Sequence, residues 1–240
     1  IHYCWFGDGP ISPESQKCME SWKKYCPDYK IMAWNEQNFD ISTNRYAQQA
    51  YEAKKYAFVS DYVRLAVLYE YGGIYLDTDV ELVRPLDELL ELPGFMGFQT
   101  NNEVATGLGF GARKGNSVVQ ALLRDYDALD FLKADGSADL TPCPERNTRV
   151  LQALGVRKDG TRQSIAEMEI FPAEYFCPMD LYSRKLRVTP KTYSIHRYAE
   201  SWKPKPSAVS RILQRLLKKH YYTWYCPLRG RIEGRLRKRT

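Results

Sequence analysis

No run of about 18 or more apolar residues occurs in these 240 residues, so no helix is expected to cross a membrane. Cysteine is sparse and scattered. Cys4, Cys18, Cys26, Cys143, Cys177 and Cys226 form no C-x-x-C pair, which argues against a zinc site. A chain of this length also buries enough surface to need no disulfide framework. Free thiols in a reducing compartment are expected, with only one of Cys18 and Cys26 facing the core. Internal repeats, low-complexity tracts and a secretory leader are not visible, and one α/β domain accounts for the length.

What is present concentrates at Tyr71–Leu82, reading Y-G-G-I-Y-L-D-T-D-V-E-L. Ile74, Tyr75 and Leu76 suit a buried strand, and the Gly72-Gly73 pair suits the end of a preceding helix. A strand puts residues two apart on one side, so Asp77 and Asp79 can both turn toward one ligand where the strand opens into a loop. Two hard oxygen donors suit Mg²⁺ or Mn²⁺, which complete their shells with water and substrate phosphates. A D-x-D alone is weak, since solvated turns carry the same pattern. An apolar strand running straight into the acids is not typical of such a turn.

The preceding stretch, Ala57–Tyr71, is apolar except at Ser60, Asp61, Arg64 and Glu70 and reads as a buried helix. Asp61 and Arg64, three apart, share a face and can pair. They form either an internal salt bridge or a ligand-facing site, the latter because a buried pair is costly unless fully satisfied.

Around these elements the sequence alternates. Residues 1–6 read as a strand, 13–24 as a helix, 29–34 as a strand, and 44–71 as helices leading to the D-x-D strand. This order predicts an α/β fold with a parallel, nucleotide-binding sheet and ligands at the strand carboxyl ends. Residues 94–99 and 108–111 are further strand candidates, 116–132 a helix capped by Asn116, and 133–144 a turn-rich loop over the site.

The string A-F-V-S-D-Y-V-R-L-A-V-L-Y-E-Y-G-G-I-Y-L-D-T-D-V, Ala57–Val80, resembles the signature of glycosyltransferase family 32, sugar transferases with a D-x-D motif and distant kin of the clostridial glucosylating toxins. The opening I-H-Y-C-W-F-G and the segment S-W-K-K-Y-C-P-D-Y-K-I-M-A-W-N-E are similar to its bacterial, capsular-polysaccharide members. The likeness is close over about the first 110 residues. It implies a GT-A-like, Rossmann-like mixed sheet flanked by helices. It assigns Asp61 and Arg64 to the donor sugar, Tyr75 to its vicinity, Asp77 to ribose or sugar hydroxyls, and Asp79 to the metal. Trp5 would lie by the nucleotide base or serve as a core aromatic. Asn147 falls near the place where relatives present a polar group to the donor sugar, or caps a helix.

Downstream, Y-S-I-H-R-Y-A-E-S-W-K-P-K-P, Tyr193–Pro206, resembles the element that closes the metal and diphosphate site in related retaining transferases. It makes His196 a metal ligand, Trp202 a lid over the diphosphate, and Lys203 a neutraliser of leaving-group charge. From Ser201 to Thr240 twelve Lys or Arg face one acid, Glu233, leaving the tail at +11 and the rest at −5. Val209, Ile212, Leu213, Leu216 and Leu217 fall at helical spacing among the basic residues. Such a C-terminal helix suits an anionic membrane surface or packs on its own domain. Nucleic acid is disfavoured, since no matching fold pattern accompanies the charge.

These readings combine into residues 1–206 as a glycosyltransferase domain and 207–240 as a basic amphipathic tail. The expected activity is metal-dependent (Mn²⁺ or Mg²⁺), retaining transfer of a hexose from a nucleotide sugar, preferably a UDP-hexose, to a glycan or lipid-linked acceptor in cell-surface polysaccharide synthesis. The expected place is cytoplasmic, peripheral on the inner membrane face. A haloacid-dehalogenase-type phosphatase also places its nucleophile in a strand before D-x-D, but normally near the chain start and with a later D-D or G-D-x-x-x-D, absent here. An inactive sugar-binding domain is the third reading, opposed by the intact Asp61, Arg64, Asp77, Asp79 and His196 set.

Overall fold

The chain enters a computed structural model, which describes residues 1–180 and 183–199, through β1 (His2–Cys4). The helix α1 (Pro13–Tyr25) starts where the Ser12 hydroxyl accepts from the Ser15 N–H, with Pro13 in the first turn, where a missing N–H costs nothing. After β2 (Met32–Trp34), Asn44 caps α2 (Arg45–Glu52) by accepting from the Ala47 N–H. Left-handed Lys54 (φ 56°) then separates α2 from α3 (Tyr56–Tyr71).

The helix α3 is buried along most of its length, with Val59, Val63, Leu65 and Leu68 fully enclosed. Each such side chain contributes about 1.5–3 kcal/mol. It stops at Gly72, whose φ of 70° would strain any residue with a Cβ, and an added Cβ would lie 2.8 Å from the Lys114 backbone nitrogen.

The remaining elements are β3 (Gly73–Tyr75), β4 (Val80–Leu82), β5 (Gly94–Phe98), β6 (Val104–Ala105), β7 (Phe110–Ala112), α4 (Ser117–Asp127), α5 (Cys143–Ala153), β8 (Gln163–Ile165), β9 (Met168–Phe171), α6 (Ala173–Phe176) and β10 (Ser194–His196). The main sheet runs β2-β1-β3-β7-β5-β9-β8, with β6 on β5. β1 is parallel to β2 and β3, whereas β7 is antiparallel to both β3 and β5. The sheet is therefore mixed, and the parallel arrangement expected from strand–helix alternation covers β2-β1-β3 and the β5–β9 pair. Alternate residues feed opposite cores: Ile74 and Phe95 join the side holding α1, α6 and Trp22, and Tyr75 and Met96 the side holding α2 to α5.

Several boundaries moved. Asn116 caps α4 as expected, accepting from the Val118 and Val119 N–H groups, but the helix ends at Asp127, five residues early. The loop beyond it is pinned by a bridge between Leu132 and Ala138. Cys18 and Cys26 are both buried, not one of the two, and Cys4, Cys143 and Cys177 are buried and free as well. Among the described residues no helix is long and apolar enough to cross a membrane. Trp202, Lys203, Cys226 and the whole 207–240 tail lie outside the described residues.

Candidate active site

Asp77 and Asp79 do not share a strand. β3 stops at Tyr75, and the D-x-D forms a turn closed by the Val80 N–H donating to the Asp77 carbonyl at 3.0 Å. Turn geometry, not strand alternation, brings the carboxylates to one side. A second, two-stranded sheet completes the site, because β10 runs antiparallel to β4 with His196 opposite Val80. That register sets His196 beside Asp79, with Nε2 3.2 Å from Oδ1. One ligand atom each from Asp77, Asp79 and His196 lies within 4.8 Å of the others.

Asp77 leans on the buried side of the site. Its Oδ1 accepts from Arg64 Nη2 at 3.1 Å and from the Tyr75 hydroxyl at 3.0 Å. Arg64 also meets Asp61 at 3.1 Å, donates from Nε to the Ser60 carbonyl, and lies 4.9 Å over the Tyr75 ring. Both partners of the Asp61–Arg64 pair are buried, and Tyr75 is 1% exposed, so these three reach the cleft through Asp77. Burial pushes Asp61 up to about 6 against the opposing pull of Arg64.

Asn147 does not cap a helix, since α5 begins at Cys143 after Pro142 with no side-chain cap. Instead its Nδ2 donates to Thr106 Oγ1 and Cys143 Sγ, both at 3.1 Å, and Arg64 Nη1 reaches the same two atoms at 3.4 and 3.7 Å. Trp5 leaves the end of β1 half-buried, its Nε1 donating to the Gly9 carbonyl at 2.7 Å, and it is not part of the buried core. β1 and β3 are parallel, so Trp5 and Asp77 emerge at the same sheet edge.

Asp79 carries the opposite wall. Its Oδ2 accepts from the Ala199 N–H at 2.7 Å, and its carbonyl accepts from the Arg197 N–H at 2.9 Å. Burial opposes its charge, but His196 and the Ala199 N–H hold the carboxyl down at about 2. Burial likewise disfavours a charged His196, and Asp79 reverses this, raising the imidazole above its ordinary value.

The donor set fits a hard divalent cation. Two ligands at about 2.1 Å and right angles sit about 3 Å apart, close to the Asp79–His196 spacing. The Asp77, Asp79 and His196 side chains are 28, 13 and 16% exposed, reachable yet shielded.

Thr106, Gly107 and Cys143 escaped the sequence reading. Gly107 accepts from the Asp77 N–H at 3.0 Å, and an added Cβ there would fall 1.9 Å from Asp77 Oδ2. The available signal was Gly107, Gly109 and Gly111 alternating through a strand-like stretch, a pattern that marks close backbone approach.

A mixed α/β sheet thus gathers two acids, a histidine and a buried arginine at one strand edge, a donor set that could hold a cation. Residues 12–95 match the family described as "Glycosyltransferase sugar-binding region containing DXD motif". It is 28% identical over 146 residues to inositol phosphoceramide mannosyltransferase 3 of Schizosaccharomyces pombe, covering 55% of this chain and 37% of that one. It is 28% identical over 148 residues to the human alpha-1,4-N-acetylglucosaminyltransferase, covering 62% and 38%. The chain thus spans well under half the length of these curated relatives. Among solved structures it is similar to the PaToxG glycosyltransferase, with a TM-score of 0.46, 20% identity, and coverage of 63% of this chain and 67% of that one.

Proposed function

We propose that this chain is a metal-dependent, retaining glycosyltransferase that moves a hexose from a nucleotide sugar to a glycan or lipid-linked acceptor in cell-surface polysaccharide synthesis. The observation that carries the reading is the convergence of Asp77, Asp79 and His196 within 4.8 Å at the sheet edge where Trp5 also emerges. Asp79 and His196 would hold Mn²⁺ or Mg²⁺, with Asp77 alongside. When bound, such a cation supplies positive charge to a departing diphosphate.

The chain's own residues do the rest. Arg64, Tyr75 and the Gly107 carbonyl fix Asp77, whose Oδ2, without a hydrogen-bond partner among the described residues, would accept from sugar or ribose hydroxyls. Asp61 and Asn147 back Arg64 and complete the donor side. Trp5 offers a half-buried ring for the nucleotide base, and Trp202 and Lys203 would cover the diphosphate. In a retaining reaction the acceptor attacks on the face the phosphate leaves, and the departing oxygen takes its proton. No second carboxylate astride the bond is needed, unlike in most sugar hydrolases.

The relatives' names include mannosyl and N-acetylglucosaminyl transfer and a ceramide-lipid acceptor, which supports a hexose-type donor and a lipid-linked acceptor. A UDP-hexose is the preferred donor. The domain would end near 206, and the 207–240 tail would bring it to the inner, cytoplasmic face of a membrane.

Incubating the protein with UDP- and GDP-sugars in Mn²⁺, and measuring released nucleotide, tests this. Release from a UDP-sugar that stops in excess EDTA is expected. Full release in EDTA would remove the metal from the reading; phosphate release from simple phosphoesters would favour a phosphatase; binding without turnover of any donor or acceptor would leave a sugar-binding module.

A further inference from the structure

The segment after β10 wraps around Asp79. The Arg197 N–H donates to the Asp79 carbonyl and the Ala199 N–H to its carboxylate, at 2.9 and 2.7 Å. Tyr198, between them, has a φ of +53°. A bulky residue with a Cβ is rarely left-handed and loses about 1–2 kcal/mol there, so the surroundings hold it. Its hydroxyl and Cys177 Sγ lie 2.8 Å apart, the Arg184 guanidinium sits 4.8 Å from its ring, and the ring is buried in the core.

The same ring meets His196 edge to face, with centroids 4.3 Å apart and planes at 60°. Metal-binding imidazoles are usually oriented by a hydrogen bond from the second ring nitrogen to a carboxylate, carbonyl or water. Here His196 Nε2 faces Asp79, while buried Nδ1 has no hydrogen-bond partner among the described residues. Beyond the contact of Nε2 with Asp79, the ring's orientation rests on packing, and among the described residues Tyr198 packs on it.

We propose that Tyr198 is the positioning residue of the cation site: its ring sets the plane of His196, and its left-handed turn delivers the Ala199 N–H to Asp79. One side chain thereby fixes both walls, although it contacts neither substrate nor cation. This inference rests on the reading of Asp79 and His196 as ligands.

Mn²⁺ binding to the full chain, measured by the loss of the free-ion electron paramagnetic resonance signal well below the melting temperature, separates the possibilities. Wild type should bind. Tyr198→Phe, which keeps the ring, should bind within about threefold of it, and Tyr198→Leu, which keeps bulk but not the ring, should bind about 10- to 100-fold more weakly. Where Tyr198→Leu does not fold, Tyr198→Asn, whose side chain suits the left-handed backbone, should show the same weakening. A ring that only fills space would lower the melting temperature of these variants and leave the affinity of folded protein unchanged; that result overturns the inference alone. Absence of Mn²⁺ binding by wild type overturns the ligand assignment and the inference with it.

Discussion

Among the described residues Asp79 meets His196 Nε2 and the Ala199 N–H through its carboxylate and the Arg197 N–H through its carbonyl. Asp79→Asn keeps an acceptor for Ala199 but removes the charge paired with His196, and should cost about 1–3 kcal/mol of stability. It should lower turnover by at least about 100-fold through loss of a charged ligand. Paired melting and nucleotide-release assays check this; retained turnover with an unchanged melt would show the carboxylate to be dispensable. Gly107→Ala acts from behind. Its Cβ must displace Asp77, so donor KM should rise about tenfold or more while overpacking costs about 1–3 kcal/mol. His2 gives a pH signature unrelated to chemistry. Trp34 Nε1 donates to its Nδ1, so the proton sits on Nε2, facing the Gly72 carbonyl, and burial lowers the imidazole to about 4. A depressed histidine pKa means that the unfolded chain binds the extra proton first. Stability should thus be full above about pH 6.5 and fall by up to about 3 kcal/mol as pH drops toward 4. Denaturant melts of wild type and His2→Asn should differ in slope across that window, and equal slopes would discount His2.

At the scale of the element, α3 delivers Asp61 and Arg64 from one face into a space already held by Thr106, Cys143 and Asn147. Among the described residues Arg64 forms ion pairs with both the Asp61 and Asp77 carboxylates, which makes it a structural counter-charge. Arg64→Ala should destabilise the fold by about 3–5 kcal/mol because it leaves buried acids uncompensated. Asp61→Asn in the same chain should recover part of that stability without restoring donor affinity. Chemical denaturation with donor titration separates the two effects, and an additive double variant would deny the coupling. Across the cleft β4 and β10 matter through register alone. A two-residue slip would carry His196 away from Asp79 without altering the sequence of either strand.

For the whole molecule, charge is the dominant asymmetry, −5 up to Glu200 and +11 from Ser201 onward. Each basic residue near an anionic surface contributes about 1 kcal/mol, so even partial engagement of the tail would give reversible, salt-sensitive attachment. Co-sedimentation with anionic liposomes should pellet the full chain and not one ending at Pro206, with the difference vanishing at high salt. Equal pelleting would mean that the Val209–Leu217 face packs on protein instead.

The apolar helix running into the strand and acids at 57–80 was legible because burial periodicity, the helix-ending glycines and the D-x-D all lie within one local stretch. The same local signals placed α1, the Asn116 cap and the α/β class. Boundaries drifted where tertiary bonds overrode propensity, as at Asp127 and at Tyr75, where the strand gives way to a turn. Asn147 read as a cap because helix starts are local, yet its amide is spent on Thr106 and Cys143, 41 and four residues away. The sequence alone singled out Asp77, Asp79 and His196 as candidates, and the structure brings them together. Only the tertiary structure decided that Asp77 belongs to Arg64 and Gly107, that Asp79 belongs to His196, and that Tyr198 stands behind them. Those pairings join residues up to 120 positions apart, and strand register and backbone approach, which no local pattern encodes, bring them together.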